Sequence, residues 1–567
     1  MNVTARLLIL TLLLVARTVP AQMDLGVAAT SSGGPLLPEQ AAYDVTYYDL
    51  ALTVDPDSQT IRGALTMTAR LLQPMEVLLL DLDDLLAVSQ VELLTADGAS
   101  IPADFTHSNG RIRVSLPSVI GVGESLTARV SYGGHPLVAP FPPWIGGFVW
   151  DSTASGEPWV AVACQTDGAD IWWPCKDHPS DEPDSMALHI TVPAALTCAS
   201  NGTLREVTEN EDGTRTFHWF VTSPINNYGV SVNIAPYHKL EGHYRSITGD
   251  SIPTFFWVLP EHLEQGRDLF QKFNVYLRYL ETRLGPYPFR NEKVGVADTP
   301  FLGMEHQTLI AYGSRFRTNA YGFDPVLLHE LVHEWYGNML TCADWKDMWL
   351  HEAFARYLEA LYAESLNGEN ALHGYMAEMR GLIRNGKPMA PVESQTSRQI
   401  YFSSPEFTHT DGDIYNKGAW VLHTLRYLIG DEPFYRILRR MCYPDSSLEY
   451  AADGNQFRLV DTAEFERLVA EVSGMELSWF FEVYLRQHNL PELHAKHSRG
   501  KLRLRWKAPR RKPFPMPVEV QVGGKMVLLM MDRGRAQLRY HSGNRPVIDP
   551  DGWILKRELP ASRSDYR

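Results

Sequence analysis

Two histidines and a glutamate stand together in His329-Glu330-Leu331-Val332-His333. On a helix, residues four apart share a face, so His329 and His333 can hold one metal ion between them. Glu330 sits where it can touch a water at the metal without ligating the metal itself. The pentapeptide alone leaves two ordinary histidines as an alternative, since chance matches arise at about the few-per-cent level in a histidine-containing chain of this size. Its neighbours argue otherwise. Leu327, Leu328, Leu331 and Val332 bury much of the helix, and polar groups among them are costly to desolvate unless they share a ligand. Glu352, in Trp349-Leu350-His351-Glu352-Ala353-Phe354, follows His333 after eighteen intervening residues, enough for a connection and an antiparallel return. Two His and one Glu leave a tetrahedral zinc ion one open position, the arrangement of catalytic rather than structural sites, and one Zn2+ per chain is expected. Glu359, two helical turns beyond Glu352, is spaced to accept a hydrogen bond from the outer nitrogen of a ligating histidine, with a packing or surface charge as the alternative.

These groups need rigid carriers. Asp324 before Pro325 reads as the cap of a helix over Pro325–Tyr336, and a return helix is expected over Asp347–Ser365. Apolar spacing predicts further helices at His262–Leu284, Gly418–Leu428, Pro433–Met441 and Thr462–Arg486. Upstream, alternation such as Leu188-His-Ile-Thr-Val192 predicts a mostly antiparallel β domain, with Phe148, Trp172 and Trp173 in its core or on a cleft wall. Downstream, Pro517-Val-Glu-Val-Gln-Val522 and the turn signal Gly523-Gly524 predict a small β-sandwich. The expected organisation is a signal peptide over 1–21, a flexible leader over 22–40, an N-terminal β domain over 41–241, a mainly helical zinc domain over 242–493 and a small β domain with a short tail over 494–567. Asn201-Gly-Thr203 has glycosylation spacing, relevant only in a host that uses it.

Charge and leader narrow the function classes. The chain carries 67 acidic and 52 basic residues, net -15, and reads as having no basic block. That argues against nucleic acid as a partner and suits a substrate bringing a positive amine. Arg6, the apolar run Leu7 to Ala16 and the small residues Val19-Pro20-Ala21 have the layout of a signal peptide, so export to a periplasm or the outside is expected. A run of that length is too short to span a bilayer, and no membrane span is expected after cleavage. The five cysteines are an odd number and none has the close spacing of a zinc or redox motif.

Assembled, these pieces resemble the aminopeptidase N family of zinc metallopeptidases. The resemblance is carried by His329-Glu330-Leu-Val-His333-Glu-Trp335-Tyr-Gly337-Asn338, Trp349-Leu350-His-Glu352-Ala-Phe354-Ala355-Arg-Tyr357-Leu-Glu359, Gly303-Met304-Glu305, Trp173-Pro174-Cys175-Lys-Asp177-His-Pro179 and Tyr415-Asn-Lys417-Gly418-Ala419. It implies a multi-domain α+β fold: a β-saddle N-terminal domain, a thermolysin-like catalytic domain and a small C-terminal β-sandwich, here as a short form without the family's large C-terminal helical domain. It implies zinc on His329, His333 and Glu352, with Glu330 as general base and Tyr415 stabilising the oxyanion. Glu305 would bind the free α-amino group of a peptide, with Gly303 and Met304 beside it and Gln165 lining the pocket for the first residue. The implied reaction is removal of the N-terminal amino acid from peptides with a free N-terminus, and a monomer is expected. Leu302, His306, His351 and Ala353 depart from the family pattern, the last two in a way expected to alter packing more than ligation. The rivals are a thermolysin-like endopeptidase, an epoxide hydrolase with aminopeptidase activity from the same family, and a non-catalytic peptide-binding protein.

Overall fold

The computed structural model of the chain describes residues 31–95, 98–402, 412–541 and 543–559. The expected signal peptide and the first part of the leader lie outside the described residues. The rest of the leader is not loose. Ser32 offers its carbonyl to the Ser397 amide and its hydroxyl to Trp345 Nε1, and Gly33 bridges to Thr396. A Cβ at Gly33 would stand 2.2 Å from the Trp345 ring, so only glycine allows this close approach.

Alternating residues in the N-terminal half build an eight-stranded sheet. Its order is Thr203–Glu209, Thr214–Val221, Ser185–Pro193, Tyr43–Asp55, Thr60–Leu71, Ser125–Gly134, Leu86–Leu94 and Ser100–Pro102. All neighbours run antiparallel except Tyr43–Asp55 and Ser185–Pro193. One face is buried as the alternation requires, with Leu50, Leu52, Leu65, Met67 and Ile190 at 2% exposure or less. Phe148, Trp172 and Trp173 are fully buried in the same core. Asn201 is buried too, its amide donating to the carbonyls of Gly229 and Gln307, so the glycosylation spacing falls on a closed position in the fold.

A five-stranded sheet follows, in the order His238–Arg245, Ser251–Val258, Val294–Asp298, Ile310–Tyr312 and Gly303–Met304. The expected boundary after Glu241 falls inside the first of these strands, and the one after Leu493 falls inside Glu492–Ser498. Chain continuity in a strand, rather than a loop, joins the parts. Helices α1 (Leu263–Leu284) and α2 (Pro325–His333) pack against it, and α3 (Trp349–Asn367), α4 (Glu369–Arg380), α5 (Ser397–Tyr401), α6 (Asn416–Ile429) and α7 (Asp431–Cys442) belong to the same mainly helical part of the chain. The single helix expected over Thr462–Arg486 is two, α8 (Thr462–Ser473) and α9 (Ser478–Tyr484), because Gly474 turns left-handed at φ 68° and ends the first. The last six strands form two three-stranded sheets.

Candidate active site

Helix α2 starts where its sequence says it should, with the Asp324 carboxylate accepting the Leu327 amide at 3.1 Å and Pro325 in the first turn. It stops at His333, three residues short of the expected Tyr336. The chain there widens into an irregular turn over Glu334–Met339, with Tyr336 and Gly337 outside helical geometry. The break has a use: it brings the Tyr336 carbonyl to 2.9 Å from His333 Nδ1. Gly337, at φ 151°, passes so close to the ring that a Cβ would lie 3.3 Å from Nδ1. His329 Nδ1 meets Glu359 Oε1 at 2.8 Å, as its spacing on α3 implied. The other oxygen of Glu359 accepts from Arg356 at 2.5 Å and from the Tyr375 hydroxyl. Both histidines thus spend Nδ1 on the protein and turn Nε2 inward.

Glu352 Oε2 lies 3.3 Å from His329 Nε2 and 3.5 Å from His333 Nε2. The three ligand atoms all fall within 4.8 Å of one another. Bond lengths near 2.0–2.1 Å at a tetrahedral zinc put neighbouring ligands about 3.3 Å apart, so this donor set fits zinc. The remaining oxygen, Oε1, accepts from the Tyr401 hydroxyl at 2.6 Å and from Gln165 Nε2 at 3.3 Å. Burial alone would raise the Glu352 pKa, but the two histidines hold it well below the usual carboxylate range.

The site is crowded with acids. Glu305, Glu330, Glu352 and Glu359 are all at least nine-tenths buried, and Arg356 is the one Lys or Arg on the cavity wall. Glu305 Oε1 accepts from Gln165 Nε2 at 2.5 Å and from the Tyr228 hydroxyl at 3.3 Å. Burial raises its pKa, and it raises that of Glu330 further, to about 8, with Glu305 adding to the effect. Oε2 of Glu330 has no hydrogen-bond partner among the described residues. Such a carboxylate is tuned to accept and return a proton. Gly303 lets the strand pass: a Cβ there would stand 2.5 Å from Glu330 Oε1.

A cavity of about 330 Å³ joins these groups, walled by Gln165, Gly303, Glu305, His329, Glu330, Glu352, Glu359 and Tyr415, with Leu302, Val326, Pro143 and Trp144 as its apolar side. Of the site residues expected from sequence, His333 and Met304 are left off this wall, each buried behind it at 1% exposure, Met304 in the strand paired with Ile310–Tyr312. Tyr415 precedes α6, its ring 6.2 Å from that of His329. His351 and Ala353 turn away from the metal position. His351 Nε2 accepts the Cys342 amide at 2.9 Å, and Ala353 fills the gap left by Gly418, where a Cβ would come within 2.4 Å. Tyr401, Tyr228 and Trp144 carry no sequence signal that could have singled them out. Arg356 could have been found, being one helical turn beyond Glu352.

Comparison with known proteins agrees with this geometry. The Peptidase M1 N-terminal domain matches residues 45–228 and the Peptidase family M1 domain matches residues 270–484, together well over half of the chain. The chain belongs to peptidase family M1. Among relatives of this M1 chain is human endoplasmic reticulum aminopeptidase 2, 25% identical over 289 residues, covering 47% of this chain and 28% of that protein. Leukotriene A-4 hydrolase of Xenopus laevis is 26% identical over 408 residues, covering 68% and 63% respectively. The M1 chain therefore spans less than two thirds of either relative. A solved M1 zinc metallopeptidase of Deinococcus radiodurans, a glutamate-to-alanine mutant bound to a Tyr-Ser-Ala substrate, superposes with a TM-score of 0.63 at 26% identity. That match covers 82% of this chain and 98% of the other. Zinc is accordingly the cofactor of this M1 chain.

Proposed function

We propose that the chain is a zinc aminopeptidase that removes single residues from the free N-terminus of peptides. The observation that carries this reading is Glu305: a buried carboxylate on the wall of the metal cavity, with no Lys or Arg paired to it among the described residues. A substrate ammonium supplies the missing charge. An endopeptidase has no need of such an anchor. Human endoplasmic reticulum aminopeptidase 2 and the Tyr-Ser-Ala complex of the Deinococcus enzyme are consistent with the same reading.

Zinc, when bound by His329, His333 and Glu352, supplies a Lewis acid that polarises the scissile carbonyl and acidifies water. Glu305 binds the amino terminus and sets which peptide bond reaches the metal. Glu330 accepts the proton of the attacking water on Oε2 and passes it to the leaving nitrogen. Tyr415 donates its hydroxyl to the oxyanion as charge develops; burial beside Glu352 holds its pKa well above the ordinary value, so it stays a donor. Glu359 and the Tyr336 carbonyl keep both imidazoles oriented with Nε2 inward. No side chain forms a covalent bond to the substrate.

Glu305→Gln keeps the shape of the anchor and removes its charge. A drop in kcat/KM of at least about a hundredfold on an amino-terminal amide substrate is expected, the cost of leaving a charged amine without its partner. Unchanged kcat/KM in the zinc-loaded variant would sink the assignment.

A further inference from the structure

The charge of this protein is uneven. Between Glu492 and Leu559 stand sixteen Lys and Arg against six Asp and Glu, in a chain of net charge -15. The expectation of no basic block fails here: some cations alternate with core residues along strands, and Arg510, Arg511 and Lys512 run together. In the strand Lys501–Lys507, Leu502, Leu504 and Trp506 point inward, so Lys501, Arg503, Arg505 and Lys507 share the outer face. The strand lies between Glu492–Ser498 and Arg535–Arg539. Register sets Arg539 opposite Lys501, Arg535 opposite Arg505 and Lys496 opposite Arg503. Like charges directly opposite weaken a sheet, so packing alone does not account for three such pairs on one face. Glu492 answers Lys507 at 3.0 Å. Among the described residues no carboxylate lies within ion-pair distance of Arg503, Arg505, Arg535 or Arg539.

A cavity of about 620 Å³ shares Arg505, Lys507 and Arg535 with this face and adds Arg511, Lys512 and Arg533. No carboxylate lines it. Arg511 and Arg533 stand at φ 56° and 47°, backbone that favours glycine, and such departures gather where a side chain must be aimed.

We propose that this sheet face docks the chain on a surface of anionic phospholipid. A field of four to eight cations suits mobile headgroups, and the cavity is lined by four arginines that can seat one phosphate. Nucleic acid fits less well. The face offers no helix for a groove, and the rings nearest the cations, Trp506 and Phe514, are buried at 6% and 3% exposure and so cannot stack on bases. The acidic remainder of the chain is repelled by the same surface, which leaves this end to approach it. Among the described residues no helix is long and apolar enough to cross a membrane.

The full chain is sedimented with vesicles of phosphatidylcholine containing phosphatidylglycerol, and with phosphatidylcholine alone, at low and high salt. Binding to the anionic vesicles only, lost at high salt, is expected. A variant with Arg503→Gln, Arg505→Gln, Arg535→Gln and Arg539→Gln loses about fivefold per cation, jointly more than about a hundredfold in partitioning. It keeps its thermal midpoint, since like-charge pairs are relieved, and its peptide hydrolysis. Absence of binding to the anionic vesicles, equal binding by the variant, or binding of duplex DNA or inorganic phosphate without binding of vesicles would each overturn the proposal.

Discussion

Replacing Tyr401 by Phe removes one hydroxyl and tests how the metal ligand is held. That hydroxyl donates to Glu352 Oε1 at 2.6 Å in a fully buried setting. The other donor to the same oxygen, Gln165 Nε2, is 3.3 Å away and also serves Glu305 at 2.5 Å, so it cannot take over the load. A hydrogen bond to a buried charged group is worth about 1.5–3 kcal/mol, which corresponds to roughly ten- to a hundred-and-fifty-fold in an equilibrium constant. The usual loss of metal affinity on removing a group that orients a ligand, roughly ten- to a hundredfold, falls in the same range. Tyr401→Phe should therefore weaken zinc binding by about ten- to a hundredfold in chelator competition, with secondary structure unchanged by circular dichroism. At saturating zinc most of the activity should return. A zinc affinity within about threefold of the parent would refute the argument that this hydroxyl fixes the carboxylate. Lost activity that zinc cannot restore would instead put Tyr401 among the groups acting on the substrate.

Two further substitutions read out neighbouring parts of the site. Gly303→Ala places a methyl 2.5 Å from Glu330 Oε1 and 2.8 Å from Val326 Cγ1, so the base must shift. A fall in kcat of at least about tenfold with zinc retained is expected, and unchanged kcat would show that Glu330 tolerates the shift. His306 is buried, neither ring nitrogen has a partner among the described residues, and burial lowers its pKa to about 3. A depressed histidine stabilises the fold fully above the unfolded value near 6.5 and loses that contribution as pH falls. At pH 5.5 the loss is about 1.4 kcal/mol. His306→Asn should flatten the fall in urea midpoint between pH 7.5 and 5.5; an identical fall in both proteins would count against it.

Local signals were the legible ones. The capped start of α2, the pairing of α2 with α3 and the reach of Glu359 to His329 follow from spacing along helices, where period and function coincide. The five-stranded sheet was not legible as strands. Val294–Asp298 is buried at every residue and pairs in parallel on both sides, so it shows no alternation to read. Helix α2 ends before the expected Tyr336 although Glu334-Trp335-Tyr336 continues the helical composition, because Tyr336 and Gly337 leave helical geometry there and the Tyr336 carbonyl turns to His333 Nδ1. Tyr401 reaches Glu352 from 49 residues away. Its short helix is in turn tied to the N-terminal half by the buried pair of Arg398 Nε and Asp167 at 3.0 Å, a contact between distant segments that no local pattern encodes. The docked stretch Ser32-Gly33 read as loose leader for the same reason: its small residues are there to fit against Trp345, which the sequence places 313 positions on.

The need for a free amine is tested most directly with one pentapeptide, offered free and N-acetylated to the zinc-loaded full chain, with products identified by mass. Stepwise loss of residues from the N-terminus of the free peptide, and no cleavage of the acetylated one, is the expected result. Internal cuts in both peptides would contradict the role of Glu305 and make the chain an endopeptidase.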